Sequence, residues 1–190
     1  GGERPPADSP RDNYFSRAQM YGSVLSGGLS GHVHGTAAYD ITSTGEPEGM
    51  RPHFWSALKF ESASYMRHLS DFILSERDKY QQLKPSHEDI HPREAPGSPE
   101  EGLDGWSYMM RTPNQDFALL YFENKSILPA LKGFKGNTSY NFRWFNTRNG
   151  EWEKRVIVKT DVNGELNPPL FPDGKNPSST DWAAKIFLLD

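Results

Sequence analysis

The chain has 190 residues, a formal net charge of −4, 13% aromatic residues and no cysteine. That length is enough for one large or two small domains with a real core. The acidic balance argues against a nucleic-acid partner, which needs a basic face, and the absence of cysteine excludes disulfides, thiolate nucleophiles and Cys-type zinc sites.

No apolar run approaches the roughly 18–20 residues that span a bilayer, so no membrane partner is expected. The opening GGERPPADSPRDN is polar and proline-rich, unlike a signal peptide. Tyr14 to Leu25 then carries Tyr14, Ala18, Tyr21 and Leu25 at helical spacing, with Asp12 or Asn13 as the expected cap and Gly27-Gly28 as the stop. SGGLSGHVHGT follows, and Gly31 to His34 reads as one short strand. His32 and His34 share a face of it, because strand side chains alternate. A second helix is expected from about His53 to Glu76, where Trp55, Leu58, Ala63, Met66, Leu69, Phe72 and Ile73 recur three or four apart. Helix, short strand, helix is the grammar of an α/β fold, but one strand makes no parallel sheet.

His91 to Asp104, HPREAPGSPEEGLD, reads as a linker between residues 1–90 and 105–190. Beyond it, WSYMMRT, DFALLYF, YNFRWFN, VIVKT and AAKIFLL are short runs bounded by turn residues. Asn149-Gly150 and Asn163-Gly164 are hairpin signals, since the turns that match strand twist need positive φ. The spacing predicts an antiparallel β-sandwich of roughly 85 residues. Alternation puts Phe142 and Trp144 on one face, expected to be core. There is no internal repeat, phosphate loop or nucleophile elbow.

Three readings of His32 and His34 stand side by side: a metal site, one wall of a substrate pocket, or two ordinary surface residues. A metal needs further ligands, and no recognised spacing links the pair to Asp40 or His53, so none is expected. Strand-end histidines can donate to sugar hydroxyls. Tyr39 and Trp55 can stack on a sugar face, although helical spacing makes Trp55 the better core residue.

The first half, through GGERPP, YFSRAQMYGSVLSGGLSGHVHG, FWSALKFESASYMRHLSDFIL and KYQQLKP, resembles the C-terminal end of the catalytic barrel in apiosidase-like glycoside hydrolases of the family 140 type. The second, through FALLYFENKSILPALKGFKGNTSYNFRWFNTRNGEW and SSTDWAAKIFLLD, is similar to the β-sandwich that follows such barrels, sometimes labelled collagen-binding. His34, where an aromatic is common, and Thr36 to Ala38, in place of a more polar loop, depart from the pattern.

The resemblance implies α/β plus all-β architecture: the C-terminal portion of a (β/α)8 barrel over 1–90, a linker over 91–104 and an antiparallel β-sandwich over 105–190. It implies hydrolysis of a glycosidic bond in a plant or algal polysaccharide, with that polysaccharide or an oligosaccharide as partner and no cofactor. It places Glu3 as the catalytic carboxylate at a late barrel strand; taken alone, Glu3 reads first as a charged residue at a frayed end. His32, His34 and Tyr39 fall at the substrate. The remaining barrel strands would come from a preceding segment or a second chain, and a periplasmic or secreted bacterial location is implied. The rival reading is a non-catalytic carbohydrate-binding or scaffold module.

Overall fold

The computed structural model describes residues 8–29, 59–98 and 104–189. Helix α1 runs over Pro10–Leu25 and α2 over Ser62–Ile73. The strands are β1 (Lys84–Pro85), β2 (Ile90–His91), β3 (Ser107–Arg111), β4 (Phe117–Phe122), β5 (Ala130–Leu131), β6 (Ser139–Asn146), β7 (Glu151–Trp152), β8 (Val156–Lys159) and β9 (Trp182–Leu188). The expected strand at Gly31 to His34 and the helical start from His53 lie outside the described residues.

Helix α1 starts earlier than its apolar periodicity suggests. Ser9, not Asp12 or Asn13, is the cap, and its hydroxyl accepts from the Asp12 N–H at 3.2 Å. Pro10 occupies the first turn, where its missing N–H has no helical partner to lose. Gly27, at φ +115°, ends the helix as expected. Helix α2 ends at Ile73, short of the expected Glu76, and the chain turns at Arg77 with φ +55°.

Strands β1, β3, β4, β9, β6 and β7 pair in that order, with β8 also on β6, in one antiparallel sheet. All five predicted runs supply its strands. β4 is buried at every position, because the sheet is covered on both faces. On one face lie α1 and α2. Tyr21 stacks on Tyr121 with centroids 5.0 Å apart, and Phe72 lies 5.5 Å from Tyr21 and 5.4 Å from Phe145. The opposite face carries Met109, Leu120, Phe122, Phe142, Trp144 and Ile186.

A full second sheet, as a sandwich would have, does not cover that opposite face among the described residues. The small β2–β5 ladder and the loop residues Phe134, Leu166 and Phe171 do so instead. These side chains bury the same apolar surface without a long ladder, so the alternating pattern alone did not reveal the difference. Across the stretch expected as a linker, His91 pairs with Ala130, Ser107 N–H donates to Arg93 O at 2.8 Å, and Ala95 N–H donates to Gly105 O at 2.9 Å. The described helices and the sheet bury one common core.

The Asn149-Gly150 hairpin forms, but as a four-residue loop from Thr147 to Gly150 in place of a two-residue primed turn. Gly150 N–H donates to Asn146 O at 2.9 Å, and Gly150 alone of the four has positive φ, +74°. At the second signal Gly164 has φ +78°, but the chain then bridges Leu166 to Leu131 and does not fold back along β8. A Cβ on Gly150 would stand 2.6 Å from His68 Cδ2, on α2. Gly150→Val is therefore expected to lose at least ~1–3 kcal/mol in chemical denaturation, from backbone strain before the clash is counted. Adding His68→Ala should recover only the clash; full recovery would remove the strain from the account.

Candidate functional site

Glu3, His32, His34 and Tyr39, the residues expected at a catalytic and sugar-binding site, lie outside the described residues, as do Asp40, His53 and Trp55. Among the described residues no group of three or more His, Asp or Glu is placed to hold a metal. The chemistry of the described part is concentrated in a polar seam between α1, α2 and the sheet.

Arg17 sits on the buried side of α1, one turn before Tyr21. Its guanidinium forks onto Asp181, with Nη2 donating to Oδ1 at 2.8 Å and Nε to Oδ2 at 3.0 Å. Its Nη1 donates to the Tyr65 hydroxyl on α2 at 2.7 Å. Asp181 precedes β9 and is fully buried; Arg17 retains only 5% exposure. The Thr147 hydroxyl donates to Asp181 Oδ2 at 2.7 Å, and the Tyr121 hydroxyl lies 3.4 Å from the same oxygen. Arg148 packs its guanidinium 4.5 Å above the Trp182 ring and donates from Nη1 to the Asp181 carbonyl at 2.6 Å. Burial opposes the charge on Arg17, but the hydrogen bonds and charge of Asp181 outweigh it and raise its pKa. Both Asp181 oxygens are engaged, so this carboxylate has no lone pair placed to attack or to take a proton from a substrate.

A second buried acid lies along the same seam. Glu123 continues the alternation Phe117, Leu119, Tyr121 onto the helix-covered face, just past the end of β4. It is fully buried. Trp106 N–H donates to its Oε2 and the Tyr108 hydroxyl to its Oε1, each at 3.1 Å. On α1, Tyr14 accepts from Asn124 N–H at 3.2 Å. Burial pushes the Glu123 carboxyl up to about 7, against the two donated hydrogen bonds that favour its charge. Burial, then the Glu123 charge, raises the Tyr14 hydroxyl.

Arg17, Asp181 and Glu123 were not singled out in the sequence, yet Arg17 and Glu123 leave a trace there. Arg17 falls four residues before Tyr21 and seven before Val24 on the buried stripe, and Glu123 is an acid in the period-2 series of β4. Removing one member of a buried pair leaves the other charge uncompensated, at about 3–5 kcal/mol. Arg17→Met and Asp181→Asn are each expected to destabilise the chain on that scale in denaturant titrations, and the double variant should cost less than their sum. Additive losses would show that the two side chains do not act as a pair.

No family model and no curated protein matches this chain. Among solved structures, one named as a glycoside hydrolase superposes over 92% of this chain and 36% of its own, with TM-score 0.69 and 17% identity. A glycoside hydrolase family 5 structure from Bacteroides vulgatus ATCC 8482 superposes over 93% and 36% respectively, with TM-score 0.66 and 19% identity. The chain spans about a third of the length of these proteins. At this identity the likeness is one of fold, and the chain folds like a part of a glycoside hydrolase.

Proposed function

We propose that this chain is the C-terminal part of a glycoside hydrolase, with residues 1–90 completing a catalytic (β/α) barrel and residues 105–190 a β-sandwich-like domain attached to it through 91–104. The observation that carries the reading is the superposition of over nine-tenths of the chain on 36% of two glycoside hydrolase structures. The packing supports it: α1 and α2 bury their inner faces on the sheet, as elements between a barrel and an appended domain would. The finer assignment is to the apiosidase-like, family 140 type, acting on a plant or algal polysaccharide outside the cytoplasm.

In this proposal Glu3 is one of the two carboxylates that flank the scissile bond, as nucleophile or base, and the acid/base partner lies on barrel strands outside this sequence. His32 and His34 donate to sugar hydroxyls at the end of the neighbouring strand, and Tyr39 offers its ring to the sugar face. Water is the co-substrate and no cofactor takes part. A carbohydrate platform on the sheet itself would need exposed aromatic rings along one face. Phe142, Trp144, Phe145, Phe117 and Phe122 are all buried, which favours a scaffold role for the sheet.

The test joins this chain to the preceding segment of its own gene product and assays the whole on a panel of plant and algal polysaccharides. The 190-residue chain alone is expected to be inactive and the joined protein active. In the joined protein, Glu3→Gln should lower turnover ~10²–10⁴-fold or more, and His32→Ala should lower turnover while shifting Tm by only a few degrees. Robust hydrolysis by the isolated chain, or full activity of the Glu3 variant, would overturn the proposal.

A further inference from the structure

The seam beneath α1 contains two fully buried acids, Asp181 and Glu123. Arg17 is committed to Asp181 through two short hydrogen bonds and to Tyr65 through a third. Arg148 turns to the Asp181 carbonyl and Thr180. Among the described residues no ion pair reaches Glu123. Among the described residues, the charges of Asp104 and Asp181 work against its ionisation. Lys125 is spent on Asp104 at 2.7 Å. Arg93 lies over the Trp106 and Tyr108 rings, 5.1 and 5.7 Å from their centroids. The remaining titratable neighbours are Tyr14 on α1, Tyr108, Tyr121 and His87, the last edge-on to Tyr108 with centroids 5.7 Å apart.

The hydrogen-bond geometry accommodates a proton. With Glu123 neutral, Oε1–H donates to the Tyr108 oxygen while Oε2 still accepts from Trp106 N–H, so both contacts survive. With Glu123 ionised, the same contacts hold a full charge in a buried site that already contains Asp181.

We infer that Glu123 is a proton-operated latch on the seam between α1 and the sheet, acting through Tyr108, whose ring lies against α1 at Gly22: protonated it steadies that contact, and ionised it loosens it. The inference stands on the packing of the seam and is independent of any hydrolase activity. The direction follows from linkage. The folded state binds this proton more tightly than the unfolded chain, whose ordinary glutamate value is near 4.3. The stabilisation is therefore complete below that value and is lost as pH rises through about 7. His87 works in the opposite sense. Burial and then Arg93 lower its pKa, so its contribution is present above about 6.5 and is lost on acidification.

Glu123→Gln mimics the protonated form: its amide donates to Tyr108 Oη and its carbonyl accepts from Trp106 N–H. Because His87 is unchanged in the variant, comparing the two proteins isolates Glu123. Hydrogen exchange of the α1 amides, corrected for intrinsic rate, should show the opening equilibrium of the wild-type chain rising by about tenfold or more from pH 5 to pH 8 relative to the variant. Equal pH dependence in the two proteins would overturn the latch. Should the variant not fold, carboxyl ¹³C NMR of wild-type Glu123 is compared with wild-type α1 exchange: an opening equilibrium that rises with the Glu123 titration supports the latch, and an opening that does not follow it, or titration in the ordinary glutamate range, sinks it.

Discussion

The described structure depends on the carboxylate of Asp181, enclosed inside the protein. A carboxylate without water is tolerated only when its lone pairs and its charge are both answered. Here the answers come from distant parts of the chain: Arg17 from α1, Thr147 from the hairpin loop and Tyr121 from β4. Arg17 also reaches Tyr65 on α2. One buried acid thus fixes two helices and two sheet strands relative to each other, which apolar contact alone does less selectively. The aromatic layer of Tyr21, Tyr121, Phe72 and Phe145 supplies the attraction, and the ion pair supplies the register.

The sheet is built for covering on both sides. β4 runs apolar along its whole length, and β6 sends Phe142 and Trp144 to one face and Phe145 to the other. Rings are stacked or tilted under the helices and mostly edge-to-face on the other side, where Phe122, Trp144 and Phe171 cluster at 5.2–5.5 Å. Trp144 keeps its indole N–H satisfied by donating to Leu170 O at 3.1 Å, so a large amphipathic ring sits in the core without an orphaned donor. Such a sheet is a rigid floor for what lies on it. In the proposed hydrolase its role is to seat helices of a catalytic barrel, and the chemistry belongs to strand ends elsewhere.

Polar groups on the helix-covered face follow one logic with two outcomes. Lys185 enters the face from β9, covers the Trp152 ring at 4.5 Å and meets Glu76 at 2.6 Å. Asp181 meets Arg17. Glu123 meets neutral donors instead. Paired charges answer each other directly, whereas a carboxyl held only by neutral donors ties the packing to proton concentration.

Five of the seven strands of the sheet, the α1 stop at Gly27 and the buried face of Phe142 and Trp144 were legible in the sequence, because alternation and positive-φ glycines are local signals. The same local rules misplaced the α1 cap and the hairpin loop length, where several neighbouring side chains can compete for one backbone group. What covers the sheet was decided only by tertiary structure. Apolar faces state that a partner must exist without saying whether a second sheet, a helix or a loop will supply it. The joining of Arg17 to Asp181, 164 positions apart, is equally invisible to spacing, since ion pairs over that separation follow from the fold and not from sequence neighbourhood. Glu123 lies between these cases. Its place on the alternating face follows from the period of β4, but its raised proton affinity comes from burial, which only the folded chain supplies.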